Sequence, residues 1–166
     1  MINVHGDAQV LWHDVDIRIG EGSSMGNSGS KSVYVSLPSR HFEVGNTTLF
    51  GYVDQGIIVS GEWRRPNVIA GVTPMVQFEL AHEVPRICIE AGVGVNIGAP
   101  HEMDGRQLGG NFLFSPTVSA GIEVPWMNSF LGVFYLLKHF SNAGLFEDNQ
   151  GINFHYIVFS MRFKEY

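Results

Sequence analysis

The sequence predicts an all-β protein, an eight-stranded antiparallel up-and-down barrel placed in the outer membrane. Three observations carry this. Hydrophobic residues make up 45 % of the chain and charged residues only 16 %, where a water-facing domain carries about 25 % charged. Glycine occupies 20 of 166 positions, well above the usual ~7 %, which suits a narrow, closely packed barrel. Apolar and polar residues alternate in segments of strand length, while the longest apolar run spans only 130–137. That is far short of the ~18 residues of a membrane helix, so helical spans are excluded.

Turn-forming residues divide the chain into eight segments: 9–19, 31–37, 49–63, 68–80, 86–98, 110–124, 130–140 and 152–163. With no repeat, linker or charge block, the length predicts a single barrel domain over 1–166. In the first segment and its sequel, Gly22-Ser23-Ser24-Met25-Gly26 matches G-x-S-x-G. A nucleophile elbow needs a helix after it; Asn27-Ser28-Gly29-Ser30 starts none, so a flexible loop is expected. In the third segment, Gly61-Glu62-Trp63 resembles the G-x-W of lipocalins but lies far from the first strand, where that motif belongs. Pro74 and Pro116 fall inside the fourth and sixth segments; proline favours edges and bulges, so those strands are expected to bend or break.

The fifth segment is the clearest. Ile87, Ile89, Ala91, Val93, Val95 and Ile97 alternate with Cys88, Glu90, Gly92, Gly94, Asn96 and Gly98. In a soluble barrel the apolar face points inward; in a membrane barrel it meets lipid and the small polar face fills the lumen. Glu90 then needs a lumenal partner among Arg18, Arg86 and Arg162. The last segment alternates similarly, with Ile157, Phe159, Met161 and Phe163 on one face.

Net charge is −6 with three lysines. No basic stripe exists to track phosphates, so no nucleic-acid partner is expected. The single Cys88 allows no internal disulfide. Met1 to Asp7 lacks the basic and apolar regions of a signal peptide, so a mature chain is expected. The histidines form no H-E-x-x-H; His82-Glu83 and His101-Glu102 read as solvated loop residues, and no metal site is expected.

The seventh segment ends in His139-Phe140-Ser141-Asn142-Ala143-Gly144. His139 and Ser141 share a strand face with Cα atoms roughly 6.5–7 Å apart. Leu131, Val133, Tyr135 and Leu137 share that face as an apolar stripe, placing the pair at the stripe's end. A hydrogen-bonded imidazole makes serine a useful nucleophile, and backbone N–H groups of Asn142, Ala143 and Gly144 in the reversal can face an oxyanion. On spacing alone, His-x-Ser at a strand end is most often just a polar cap.

His139 to Gly144, followed by Asn149-Gln150-Gly151-Ile152-Asn153 and Met161-Arg162-Phe163, resembles the lipid A 3-O-deacylase (PagL-type) family. Glu90-Ala91-Gly92-Val93-Gly94 and Gly105-Arg106-Gln107-Leu108-Gly109-Gly110 resemble it too, so the resemblance spans 86–163. It implies a serine esterase in the bacterial outer membrane that removes the ester-linked 3-hydroxyacyl chain from the 3-position of lipid A. Lipid A is the implied partner, the site lies on the barrel's outer face, and no cofactor is required. It assigns Ser141 as nucleophile and His139 as base. Asn153 stands where the family has its acidic third member, a departure that leaves the ring oriented but supplies no charge. Glu147, in the loop just after the motif, is the alternative residue for that role, at a position the loop constrains poorly. Asn149 matches a family asparagine that positions the loop or the oxyanion. Tyr135 and Leu137 are the expected acyl contacts. A homodimer is an open expectation for the assembly. The competing readings are a non-catalytic barrel of the same fold and a soluble lipocalin-like lipid-binding barrel.

Overall fold

A computed structural model describes residues 11–25, 30–43, 49–60, 66–81, 84–98, 102–147 and 149–164. The expected strand start at Gln9, the Met1–Asp7 segment, Gly26–Gly29, Gly61-Glu62-Trp63, His82-Glu83 and His101 lie outside the described residues.

Eight long strands form the wall: β1 (Leu11–Ser24), β2 (Lys31–Glu43), β3 (Leu49–Ser60), β4 (Asn67–Ala81), β5 (Arg86–Ile97), β8 (Phe112–Trp126), β9 (Ser129–Phe140) and β10 (Ile152–Lys164). A small hairpin, β6 (Glu102–Met103) and β7 (Arg106–Gln107), lies between β5 and β8. Every neighbour in the wall is antiparallel, and β1 pairs with β10 to close the barrel. Closure leaves no edge with unpaired backbone, the condition for crossing a bilayer as strands.

The alternation resolves in favour of lipid. On β5 the apolar residues Ile87, Ile89, Val95 and Ile97 face out, with Val93 62 % exposed, while Glu90 is fully buried. On β10, Ile157, Phe159 and Phe163 face out, and Tyr156, Ser160 and Arg162 face in. An apolar exterior around a polar interior is the pattern of a membrane barrel, opposite to that of a soluble one.

The lumen is filled by paired charges. Arg18 donates to both carboxylate oxygens of Glu90, at 2.7 and 2.8 Å, and to Asp16 at 2.6 Å. Glu90 also accepts from Ser119. Of the three expected arginines, Arg18 meets Glu90 through this paired contact. Arg162 pairs with Glu123, and Arg86 with Glu79 at 3.2 Å. Lys138 donates to Thr73 at 3.2 Å and lies 3.6 Å from Asp54. Small residues make room for these groups: a Cβ at Gly94 or Gly132 would collide with the Thr73 or Ser160 side chain.

Three expectations are corrected. Gly22, Ser23 and Ser24 belong to β1, because β10 pairs with all three and β2 with Gly22 and Ser23; ladder pairing overrides their loop-like composition. β2 runs past 37 to Glu43, absorbing Pro38 in an irregularity between Leu37 and His41. Pro74 and Pro116 do not break their strands: Pro74 pairs with Val53 and Pro116 with Val93. Each lacks only one N–H, and the register on either side is unchanged.

Glu90→Ala is expected to lower the free energy of unfolding by about 3–5 kcal/mol, because it leaves the buried Arg18 short of a partner. Urea titration of the folded protein in lipid vesicles, followed by tryptophan fluorescence, checks this.

Candidate functional site

Strand parity builds the site. Lys138 is held inward by Thr73 and Asp54. Its neighbour His139 must therefore face outward. Asn153 on β10 is directly opposite His139 and shares its face. The two side chains meet: His139 Nδ1 and Asn153 Oδ1 are 2.6 Å apart. An amide oxygen only accepts, so Nδ1 carries the proton and Nε2 is left as the basic nitrogen.

Ser141 lies two residues further on, where β9 leaves the ladder. Its N–H donates to Phe114 O at 3.1 Å, and Phe114 N–H donates to Ser141 O at 2.7 Å. Between this bridge and the last regular pair, Thr117 with Lys138, Pro116 is opposite His139. Proline has no N–H to give there, so the β8–β9 seam loses a ladder bond beside the imidazole.

The reversal that follows is held from within. Asn142 is fully buried. Its N–H donates to Asn149 Oδ1 at 3.1 Å, its Nδ2 to Leu108 O at 3.0 Å, and its Oδ1 accepts from Gly144 N–H at 2.8 Å. Two of the three expected oxyanion amides, those of Asn142 and Gly144, are thus committed. The Ala143 N–H has no partner among the described residues. Ala143 itself is exposed and in the left-handed region, at φ 53°.

A groove of about 350 Å³ runs along the outer wall at this point, lined by Met25, Pro116, Val118, Leu137, His139 and Asn153. Leu137 is where an acyl contact was expected. Tyr135 does not line the groove; its ring is near His155, 6.0 Å between centroids. His155 in turn bonds Ser23 Oγ at 2.9 Å. Glu147 is exposed in the loop, and it is Asn153 that takes the His139 Nδ1. Ser24, the central serine of G-x-S-x-G, is buried and bonded to Asp104. In the lumen, Glu79, Cys88 and Glu123 come together, with Arg86 on Glu79 and Arg162 on Glu123.

A family model for lipid A 3-O-deacylase (PagL) matches residues 31–162. The chain belongs to the lipid A 3-O-deacylase (PagL) family. Its fold is similar to a crystal structure of the outer membrane enzyme PagL, with 24 % identity, a TM-score of 0.69, and coverage of 89 % of this chain and 97 % of that one. It is also similar to the crystal structure of Neisserial surface protein A (NspA), with 12 % identity, a TM-score of 0.67, and coverage of 95 % and 99 %. No curated protein sequence matches the chain. Membership of the PagL family places this barrel in the outer membrane. The connections between strands at the His139 end, 98–111 and 141–151, contain more residues than 82–85 and 127–128 at the other. In outer-membrane barrels the longer loops are extracellular.

Sequence reasoning missed Met25, Pro116 and Gly151. Gly151 has φ 60°, and a Cβ there would fall 2.8 Å from His139 Cε1 and 3.1 Å from Nε2. The N-x-G run around it was the available signal. Gly151→Ala is expected to push the imidazole off Asn153. The check is the ring-nitrogen NMR signature of His139 in micelles, which should change while the barrel keeps its β-sheet circular dichroism.

Proposed function

We propose that this PagL-family barrel hydrolyses the ester-linked 3-hydroxyacyl chain at the 3-position of lipid A, using Ser141, His139 and Asn153. The observation that carries the reading is the 2.6 Å contact between His139 Nδ1 and Asn153 Oδ1, on the lipid-facing wall beside an apolar groove.

Ser141 Oγ attacks the ester carbonyl carbon as His139 Nε2 takes its proton. The tetrahedral oxyanion is met by the Ala143 N–H and the Asn149 amide, whose Oδ1 is already committed to Asn142. Collapse breaks the bond to the sugar oxygen, and the imidazolium protonates that oxygen to release the 3-hydroxyl. Water, deprotonated by His139, then cleaves the acyl-enzyme. The acyl chain stays in the groove against Leu137, Val118 and Pro116 throughout, so it never leaves the apolar phase.

Asn153 orients the ring but cannot stabilise imidazolium as a carboxylate does. The activity is therefore slower than the same site would give with an acid. Lipid A incubated with the purified protein and read by mass spectrometry should lose one 3-hydroxyacyl chain. Ser141→Ala should abolish the loss, and Asn153→Glu should raise kcat by about tenfold or more. A second reading, a barrel that keeps the scaffold without the chemistry, rests on Asn153. It is upheld if wild type is inert and Asn153→Glu alone is active.

A further inference from the structure

The β6–β7 hairpin is anchored far more firmly than a surface loop requires. Met103 and Leu108 are buried in the core cluster at the barrel mouth. Asp104, at φ 55°, accepts from Ser24 and from Ser30 Oγ, the latter at 3.2 Å. The free side of this fixed element meets the loop that follows Ser141. Gln150 N–H donates to Gln107 O at 3.0 Å, and Gln107 N–H donates to Gln150 Oε1 at 3.1 Å. Arg106 Nη1 reaches Gly151 O at 3.4 Å. A glutamine side chain thus completes a two-bond clasp where a second backbone carbonyl would normally serve.

The clasp grips residue 150, and the residues on either side of it both touch the site. Asn149 holds the Asn142 amide. Gly151 packs against the His139 ring. The barrel wall does not depend on it: β9 and β10 pair along their full length, and β8 pairs with β9 up to Thr117, independently of the hairpin. The apolar groove is lined mostly by strand residues. Loosening the clasp therefore disturbs the reacting groups and leaves the acyl groove in place.

We propose that Gln150 is a positioning residue, and the β6–β7 hairpin the rigid element it reads, setting the register of loop 141–151 against His139 and the oxyanion donors. This rests on the esterase reading above. A displacement near 1 Å in such groups costs up to about 100-fold in rate, so one bond of two predicts a smaller, measurable loss.

The test is hydrolysis kinetics on lipid A in mixed micelles with Gln150→Leu and Gln150→Glu, alongside amide hydrogen exchange at Gln107 and Asn142, both of which are bonded to this loop. Gln150→Leu should lower kcat by about tenfold with KM unchanged, and should speed exchange at both amides. Gln150→Glu keeps an acceptor oxygen and should restore kcat to near wild type. The heat-modified gel shift of the folded barrel should be the same in all three. An active wild type with an equally active Gln150→Leu overturns the proposal alone. So does a loss carried by KM, or one that Gln150→Glu fails to restore. A wild type that does not hydrolyse lipid A overturns the esterase reading and this proposal with it.

Discussion

The hydrocarbon around the barrel offers no hydrogen bonds, so every polar group of the wall must be satisfied inside it. Two features of this chain meet that demand together. Closure between β1 and β10 pairs the backbone, and the lumen pairs its charges, with Arg18 bridging Asp16 and Glu90 and Arg162 meeting Glu123. Arg18 also lies over the rings of Tyr52 and Phe134, 4.7 and 4.9 Å from their centroids. The interior is thus a cross-linked polar core wearing an apolar coat. A one-residue slip of β1, β9 or β10 would place Arg18, Lys138 or Arg162 in lipid.

That constraint also places the chemistry. Lys138 belongs to the lumenal network, and its inward orientation fixes the outward orientation of His139. On β10 the inward residues Phe154 and Tyr156 do the same for Asn153 and His155. A water-facing hydrolase buries its site in a cleft. Here His139 and Asn153 meet on the convex outside of the wall beside an apolar groove, the side open to a lipid substrate under the proposed esterase reading. The ladder gap at Pro116 and the reach of Met25 from the end of β1 give the wall its local groove. In the loop reversal at Ala143 and Gly144, the Ala143 N–H is the amide without a partner among the described residues.

Much of this was legible in the sequence, and for stated reasons. The alternation in β5 and β10 is nearly unbroken, so a two-faced barrel wall followed from period two, while which face meets lipid needed the low charge content and the small polar face of β5 as well. The meeting of His139 with Asn153 followed from parity plus the family motif. What stayed hidden depends on non-local pairing. Gly22, Ser23 and Ser24 carry loop composition, yet two neighbours recruit them into β1. Residues 102–107 are too short and polar to announce a hairpin, and only burial of Met103 and Leu108 in the mouth makes one. The commitment of the Asn142 and Gly144 amides to their own loop could not be read from spacing, since it depends on which way buried Asn142 turns.

The central claim is that Asn153 suffices to keep His139 working as the base for Ser141 on the outer face. The most direct measurement is covalent trapping with an alkyl fluorophosphonate, read by peptide mass spectrometry on the folded protein in detergent. The expected result is one adduct, on Ser141, that disappears in His139→Ala and accumulates more slowly in Asn153→Ala than in wild type. A folded wild-type barrel that takes no label at Ser141, or labels equally well without His139, would contradict it.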